Sequence, residues 1–329
     1  MADLKLSLAL TSNPRTRPVI DGRAVPEGID LVKTVLDPGA IFSRQLHDAE
    51  FDLAEMSMAS LLMLLDQGDD RFVGIPVFTT KRFFHTNILV RRDAKIDSPA
   101  DLKGKRVGVP EYQQTAALWI RGFLQDEVGV TPRDLEFWME RAPEESNVNT
   151  GFKPPPGVTV HFVPPDKSLG SMMLSGELQA CLVYYGGYPG ERSTQDLSDN
   201  PDIKRLFRDR AAEGARYYAK TGIYPINHGM IIRREIARQS PWVAQSILKA
   251  FSKASGIADK DRMDHVANHF DTGLVPPQDR AALATPLFAQ GIGPNRKTLE
   301  AIARYACEQD FTKRVLAMDE VFAESTLSS

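Results

Sequence analysis

Only two cysteines, Cys181 and Cys307, occur in the 329 residues of this chain. They lie far apart and share no metal-ligand spacing, so a disulfide framework is not expected. Excess charge is also missing: a net charge of -3 argues against a general nucleic-acid surface. No apolar run is long enough to span a membrane. Residues 1–10 include an acidic residue and too short an apolar run for a secretory signal, and they alternate like a first strand instead. With no leader in view, the expectation is a cytoplasmic protein. The glycine-rich fingerprints of dinucleotide and phosphate loops are absent, which removes the usual sequence argument for a nucleotide cofactor. No Gly-x-Ser-x-Gly elbow points to a serine hydrolase. His265 and His269 have the spacing of a zinc helix, but HVANH lacks the glutamate of HExxH, so they are not read as a metal site.

What remains is an ordinary globular composition, 42% hydrophobic and 25% charged, in a chain long enough for two lobes with separate cores. Strands and helices alternate, as in a doubly wound α/β protein. Strands are expected at 4–10, 51–56, 87–90, 106–109, 158–163, 180–184 and 230–233, and helices at 40–48, 60–66, 168–175 and 241–255. A further helix follows Pro110, and the stiff stretch 151–157 reads as a surface excursion. In such folds ligands sit at the carboxyl ends of strands, which directs attention to the residues after them.

The segment 74–130 is the most informative. A basic and aromatic cluster, Lys81-Arg82-Phe83-Phe84-His85, opens onto a short apolar run, and the strand 106–109 feeds the polar helix start Glu111-Tyr112-Gln113-Gln114-Thr115. Free backbone N–H groups at a helix start, together with the helix dipole, make a ready anion site. The string PADLKGKRVGV followed by a polar helix start resembles the crossing into the second lobe of type II periplasmic-binding-protein folds. More narrowly, FTTKRFFH, PEYQQTAALWIRG, VYYGGYP and YAKTGIYPINHGMIIR resemble the 4,5-dihydroxyphthalate decarboxylase family, over about residues 51–251. The resemblance implies an α/β, two-lobe type II periplasmic-binding-protein-like architecture with a central interlobe cleft and two hinge crossings. Lobe one is then expected at 1–90 plus 228–329, and lobe two at 91–227. The implied activity is decarboxylation of a hydroxylated aromatic dicarboxylate without an organic cofactor. The alternative is a non-catalytic solute-binding protein for a small aromatic carboxylate. Thiamin-pyrimidine synthases share the scaffold, but the Cys-rich pattern they resemble is not present here.

Arg82 is the first candidate for a carboxylate anchor, because a guanidinium presents a rigid fork that matches a carboxylate. Its neighbour Lys81 is expected to be solvated. His85 and His228, each beside a crossing between lobes, are the candidates for the acid that protonates the ring. Ser57, Gln113, Gln114 and Thr115 stand at helix starts and are expected to bind substrate, with Tyr184 and Tyr224 as phenols near the cleft. Ser60 and Glu55 flank the same region, Glu55 read as a surface or ion-pair residue. Helical angles put Ala116, Ile120, Phe123 and Leu124 on one buried face and turn Arg121 away toward the surface or a lobe contact. The segment 217–229 is read as a shaped loop, broken by Gly222 and Pro225. A divalent metal stays open as an assistant, with His85, His228 and Glu55 as the residues that would converge on it. The expected partner is a small aromatic carboxylate, with no nucleic acid and no membrane, and a homo-oligomer is left open.

Overall fold

The computed structural model describes residues 3–142, 145–146, 153–188, 191–276 and 288–329. Its strands are β1 (Leu4–Leu10), β2 (Ile29–Val35), β3 (Leu53–Ser57), β4 (Phe72–Lys81), β5 (Leu89–Arg91), β6 (Arg106–Val109), β7 (Glu136–Met139), β8 (Thr159–Phe162), β9 (Ala180–Cys181), β10 (Ile203–Arg205) and β11 (Ile226–Arg233). They form two mixed sheets, in the orders β2-β1-β3-β11-β4 and β10-β5-β9-β6-β7-β8. In the first sheet β1 runs parallel to β2 and β3, whereas β11 is antiparallel to both β3 and β4. The pleat sorts side chains by face: Leu6, Leu8 and Leu10 join one apolar cluster while Ala9 joins the other, which also holds Val107, Val109 and Phe137 of the second sheet. The larger cluster therefore reaches from one sheet to the other.

The chain passes between the sheets twice. After β4 only the short turn of 3₁₀ helix Phe84–Asn87 precedes β5, and after β10 the helix Arg210–Thr221 leads into β11. These crossings are tied together, since the Arg82 N–H donates to the Pro225 carbonyl at 2.9 Å and the Tyr224 hydroxyl to the Lys81 carbonyl at 3.1 Å. Among the described residues, no helix is long and apolar enough to cross a membrane.

Several elements differ from their sequence reading. β11 begins at Ile226, four residues before the expected strand, and the helix Pro241–Asp271 runs well past residue 255. β9 stops at Cys181, because the chain bends at 182 and 183 instead of continuing to residue 184. Residues 217–221, expected in a loop, complete the helix Arg210–Thr221, which Gly222 ends in a left-handed conformation at φ 69°. The excursion at 151–157 is free of helix at 153–157, and residues 151–152 lie outside the described residues.

The helix Thr115–Val128 sits between the sheets and packs against both Met58–Asp66 and Arg296–Glu308. Gly122 permits that second contact: a Cβ built there would lie 2.4 Å from Tyr305 Cδ2. Gly122→Ala is expected to lower stability by about 1–3 kcal/mol through overpacking, read as a lower urea midpoint at unchanged slope. Of the two readings of Arg121, surface or lobe contact, the surface one fails, because the side chain is only 1% exposed. Its Nε donates to Gln309 Oε1 at 2.7 Å and its guanidinium stacks 3.8 Å from the Tyr112 ring centroid. The carboxy-terminal segment covers the helix face that angles alone leave in water.

Candidate active site

Three helix starts meet in one place. The helix Pro38–Asp48 is capped by Asp37, whose Oδ1 accepts from the Ala40 N–H at 3.0 Å. β3 feeds the helix Met58–Asp66 through Ser57, and β6 leads by a turn into the helix Thr115–Val128. Ser57 Oγ and Thr115 Oγ1 are 2.8 Å apart, and Thr115 Oγ1 also accepts from the Ala59 N–H at 3.0 Å, so starts from different sheets are clasped together. Gln114, at the N-cap of its helix, makes no side-chain capping bond. Residues from all three starts line a cavity of about 780 Å³, together with Arg82, Asn227 and His228. That size accommodates a small organic ligand.

His228 is the titratable centre of this cavity. Its Nδ1 lies 2.7 Å from Glu55 Oε1, and its Nε2 lies 2.8 Å from Asn227 Nδ2. Glu55 is fully buried, and its Oε2 accepts from the Thr11 N–H at 2.9 Å and the Thr11 hydroxyl at 2.7 Å. Burial alone would raise the Glu55 carboxyl, but the hydrogen bond and charge of His228, with the Thr11 donors, outweigh it and hold it below the usual range. An ionised carboxylate only accepts, which places the ring proton on Nδ1 and makes Nε2 the acceptor of the Asn227 amide. β11 shifts register against β4 on both sides of His228. The irregularity explains how neighbours that would point to opposite faces of a regular strand, Asn227 and His228, both reach the cavity.

Cations and carboxylates also crowd the lining. Arg141 bridges two carboxylates, Nη1 to Glu111 Oε1 at 2.7 Å and Nη2 to Glu191. Arg192 pairs with Glu145 at 2.6 Å. Arg82, by contrast, lines the cavity with an exposed side chain that has no carboxylate partner among the described residues. Burial pushes the Tyr185 phenol up to about 12, against the pull of Arg82 and Arg141 nearby.

Of the residues picked out by sequence, Ser57, Arg82, Gln113, Gln114, Thr115 and His228 line this cavity, as does Ser60. His85, Tyr184 and Tyr224 do not. His85 is 2% exposed, stacked on Phe123 at 4.1 Å between ring centroids, with Nε2 3.2 Å from Glu213 Oε1. Burial drives its pKa down to about 4, with Glu213 opposing, so the ring is neutral near pH 7 and has no proton ready to give. Tyr184 turns its hydroxyl to the Gln195 carbonyl at 2.6 Å, and the bend after β9 brings Tyr185 to the cavity instead. Tyr224 braces the crossings through the Lys81 carbonyl and packs on Phe83 at 4.8 Å. Lys81 is buried rather than solvated, its Nζ donating to Asn295 Oδ1 at 2.7 Å. His85 is thus separated from the His228–Glu55 pair, and no group of three or more His, Cys, Asp or Glu suited to a metal ion occurs among the described residues.

Asn227, Arg141, Glu191 and the 37–40 helix start carry no sequence signal as cavity residues, and of the two readings of Glu55, surface or ion pair, the ion pair is the one the structure shows. Glu55 and His228 are 173 positions apart and meet only through the pairing of β3 with β11. No local motif signals that contact.

Comparison with known proteins places these features in context. Residues 52–139 match the family model described as NMT1/THI5 like. A 4,5-dihydroxyphthalate decarboxylase of Comamonas testosteroni is 31% identical over 334 residues, covering 100% of this chain and 99% of that protein. Another of the same name from Pseudomonas putida is 35% identical over 221 residues, covering 66% of this chain and 83% of that one. Among solved structures, the alkanesulfonate-binding protein SsuA from Xanthomonas axonopodis pv. citri, bound to MOPS, superposes with a TM-score of 0.55 at 14% identity, covering 98% of this chain and 97% of that one. That likeness establishes the periplasmic-binding-protein fold.

Proposed function

This chain belongs to the 4,5-dihydroxyphthalate decarboxylase family, a group of carboxy-lyases, and on that premise we propose that its cavity removes one carboxylate from a hydroxylated benzene dicarboxylate. The best-supported substrate is 4,5-dihydroxyphthalate, giving protocatechuate and CO2. The observation that carries the reading is the His228–Glu55 pair set in a cavity built from helix starts and an arginine without a carboxylate partner among the described residues.

In this diacid each carboxylate has a hydroxyl para to it, so ring electrons can be pushed toward the carbon that loses CO2. Arg82 and the N–H groups at the 115–116 helix start receive the carboxylates. His228, protonated on both ring nitrogens with the Asn227 amide turned to present its oxygen to Nε2–H, delivers that proton to the ipso carbon, and Glu55 stabilises the imidazolium until transfer. The bond from that carbon to the carboxylate then breaks, its electron pair returns to the ring, and aromaticity is restored as CO2 leaves. Solvent reprotonates His228, so one proton is consumed for each CO2 formed. The chemistry described uses this chain's own side chains.

The test is direct. Purified protein mixed with 4,5-dihydroxyphthalate is expected to release CO2 and accumulate protocatechuate without an added organic cofactor. Tight binding of a panel of hydroxyphthalates with no CO2 release would instead favour a solute-binding protein.

A further inference from the structure

The stretch of lining around Gln113, Arg141 and Glu191 carries hydrogen-bond acceptors that the mechanism above leaves unused. Gln113 lines the cavity and is 5% exposed, yet its Oε1 has no hydrogen-bond partner among the described residues. The amide cannot simply turn over to relieve this, because its Nε2 donates to Glu111 Oε2 at 2.8 Å and an ionised carboxylate accepts only. Glu111 is itself pinned, by Arg141 Nη1 at 2.7 Å and the Ser146 hydroxyl at 2.7 Å. The other nitrogen of the same guanidinium holds Glu191 by Oε1 alone, leaving the second carboxylate oxygen without a protein partner among the described residues. Gln114 Oε1 is a further buried acceptor without a partner among the described residues. An orphaned buried acceptor costs about 1–3 kcal/mol, so this wall is arranged to receive donors.

Carboxylates of a substrate cannot supply them, since they are acceptors themselves. Ring hydroxyls can. We propose that Gln113 and Glu191, held side by side through Arg141, accept the two vicinal hydroxyls of the substrate and so select a 1,2-dihydroxylated ring over a plain benzene dicarboxylate. The inference rests on the diacid reading above and fixes the ring's orientation within it: carboxylates toward Arg82 and His228, hydroxyls toward Glu191. Burial and the carboxylates of Glu140 and Glu111 raise the Glu191 carboxyl against the pull of Arg141, which suits a group that shares a hydroxyl proton as the para carbon is protonated.

Binding calorimetry with 4,5-dihydroxyphthalate and with phthalate tests this, because binding needs no turnover. The unmodified protein is expected to bind the dihydroxylated diacid more tightly. Gln113→Met and Glu191→Gln should each weaken that ligand by about tenfold, the scale of one hydrogen bond, while phthalate affinity stays within about twofold and reports an intact site. Equal affinity of the unmodified protein for the two diacids overturns the hydroxyl-reading proposal alone, as does loss of both ligands in parallel or of neither in the two variants. If the unmodified protein binds neither diacid, the substrate reading falls and this proposal with it.

Discussion

Replacing His228 by Gln is expected to cut decarboxylation by about 10²- to 10⁴-fold, the usual worth of a positioned proton donor, while substrate affinity stays nearly unchanged. Glutamine keeps much of the shape and one donor, but it cannot deliver a proton to carbon. The residue is 8% exposed and its ring packs edge-on against Phe42 at 5.0 Å, so a similar-sized polar replacement disturbs little else. Single-turnover rates with binding measured separately would check the split between affinity and chemistry. His85→Gln is the matched control. His85 lies among Phe83, Phe123, Phe207 and Tyr217, outside the cavity, so its replacement should lower stability and leave turnover per folded molecule intact. A normal rate for His228→Gln, or a deep chemical defect in His85→Gln, would move the proton donor elsewhere, with Tyr185 next in line on the cavity wall.

These two histidines also mark how far the sequence can be read. Both stand beside crossings between the sheets, and the motifs around them are equally distinctive. Their fates differ because His85 is in a 3₁₀ turn packed among four aromatic rings with Glu213 at its Nε2, whereas His228 lies where β11 shifts register against β4. Register irregularities and the closing of a box by residues 207 and 217 are tertiary events, with no period in the sequence to announce them. The helix start at 113–115 was legible, since a strand leading into polar residues ahead of an apolar helix has few other uses. Arg121 was not, because a helical wheel separates an apolar face from the rest but does not know that a later segment will cover the rest. Tyr185 rather than Tyr184 reaches the cavity for the simplest reason: in a strand one residue decides the face, and β9 ends three residues short of Tyr184.

Arg82→Lys is expected to weaken diacid binding by about tenfold to a hundredfold, the equivalent of losing one charge-assisted hydrogen bond of about 1.5–3 kcal/mol. The charge survives this change but the planar fork does not, so the loss measures bidentate geometry rather than net charge. Other cavity arginines cannot take over, because Arg141 is committed to Glu111 and Glu191, and Arg192 to Glu145. The substitution should also spare the fold. Arg82 contributes to the crossings through its backbone N–H, bonded to the Pro225 carbonyl at 2.9 Å, and lysine keeps that bond. Turnover at saturating substrate should fall less than affinity, since the anchor holds the carboxylate in the ground state as well as in the transition state. Calorimetry on a folded Arg82→Lys protein decides the matter: an unchanged Kd would remove Arg82 as the anchor and leave the helix start at 115–116 to hold the carboxylates by backbone donors alone.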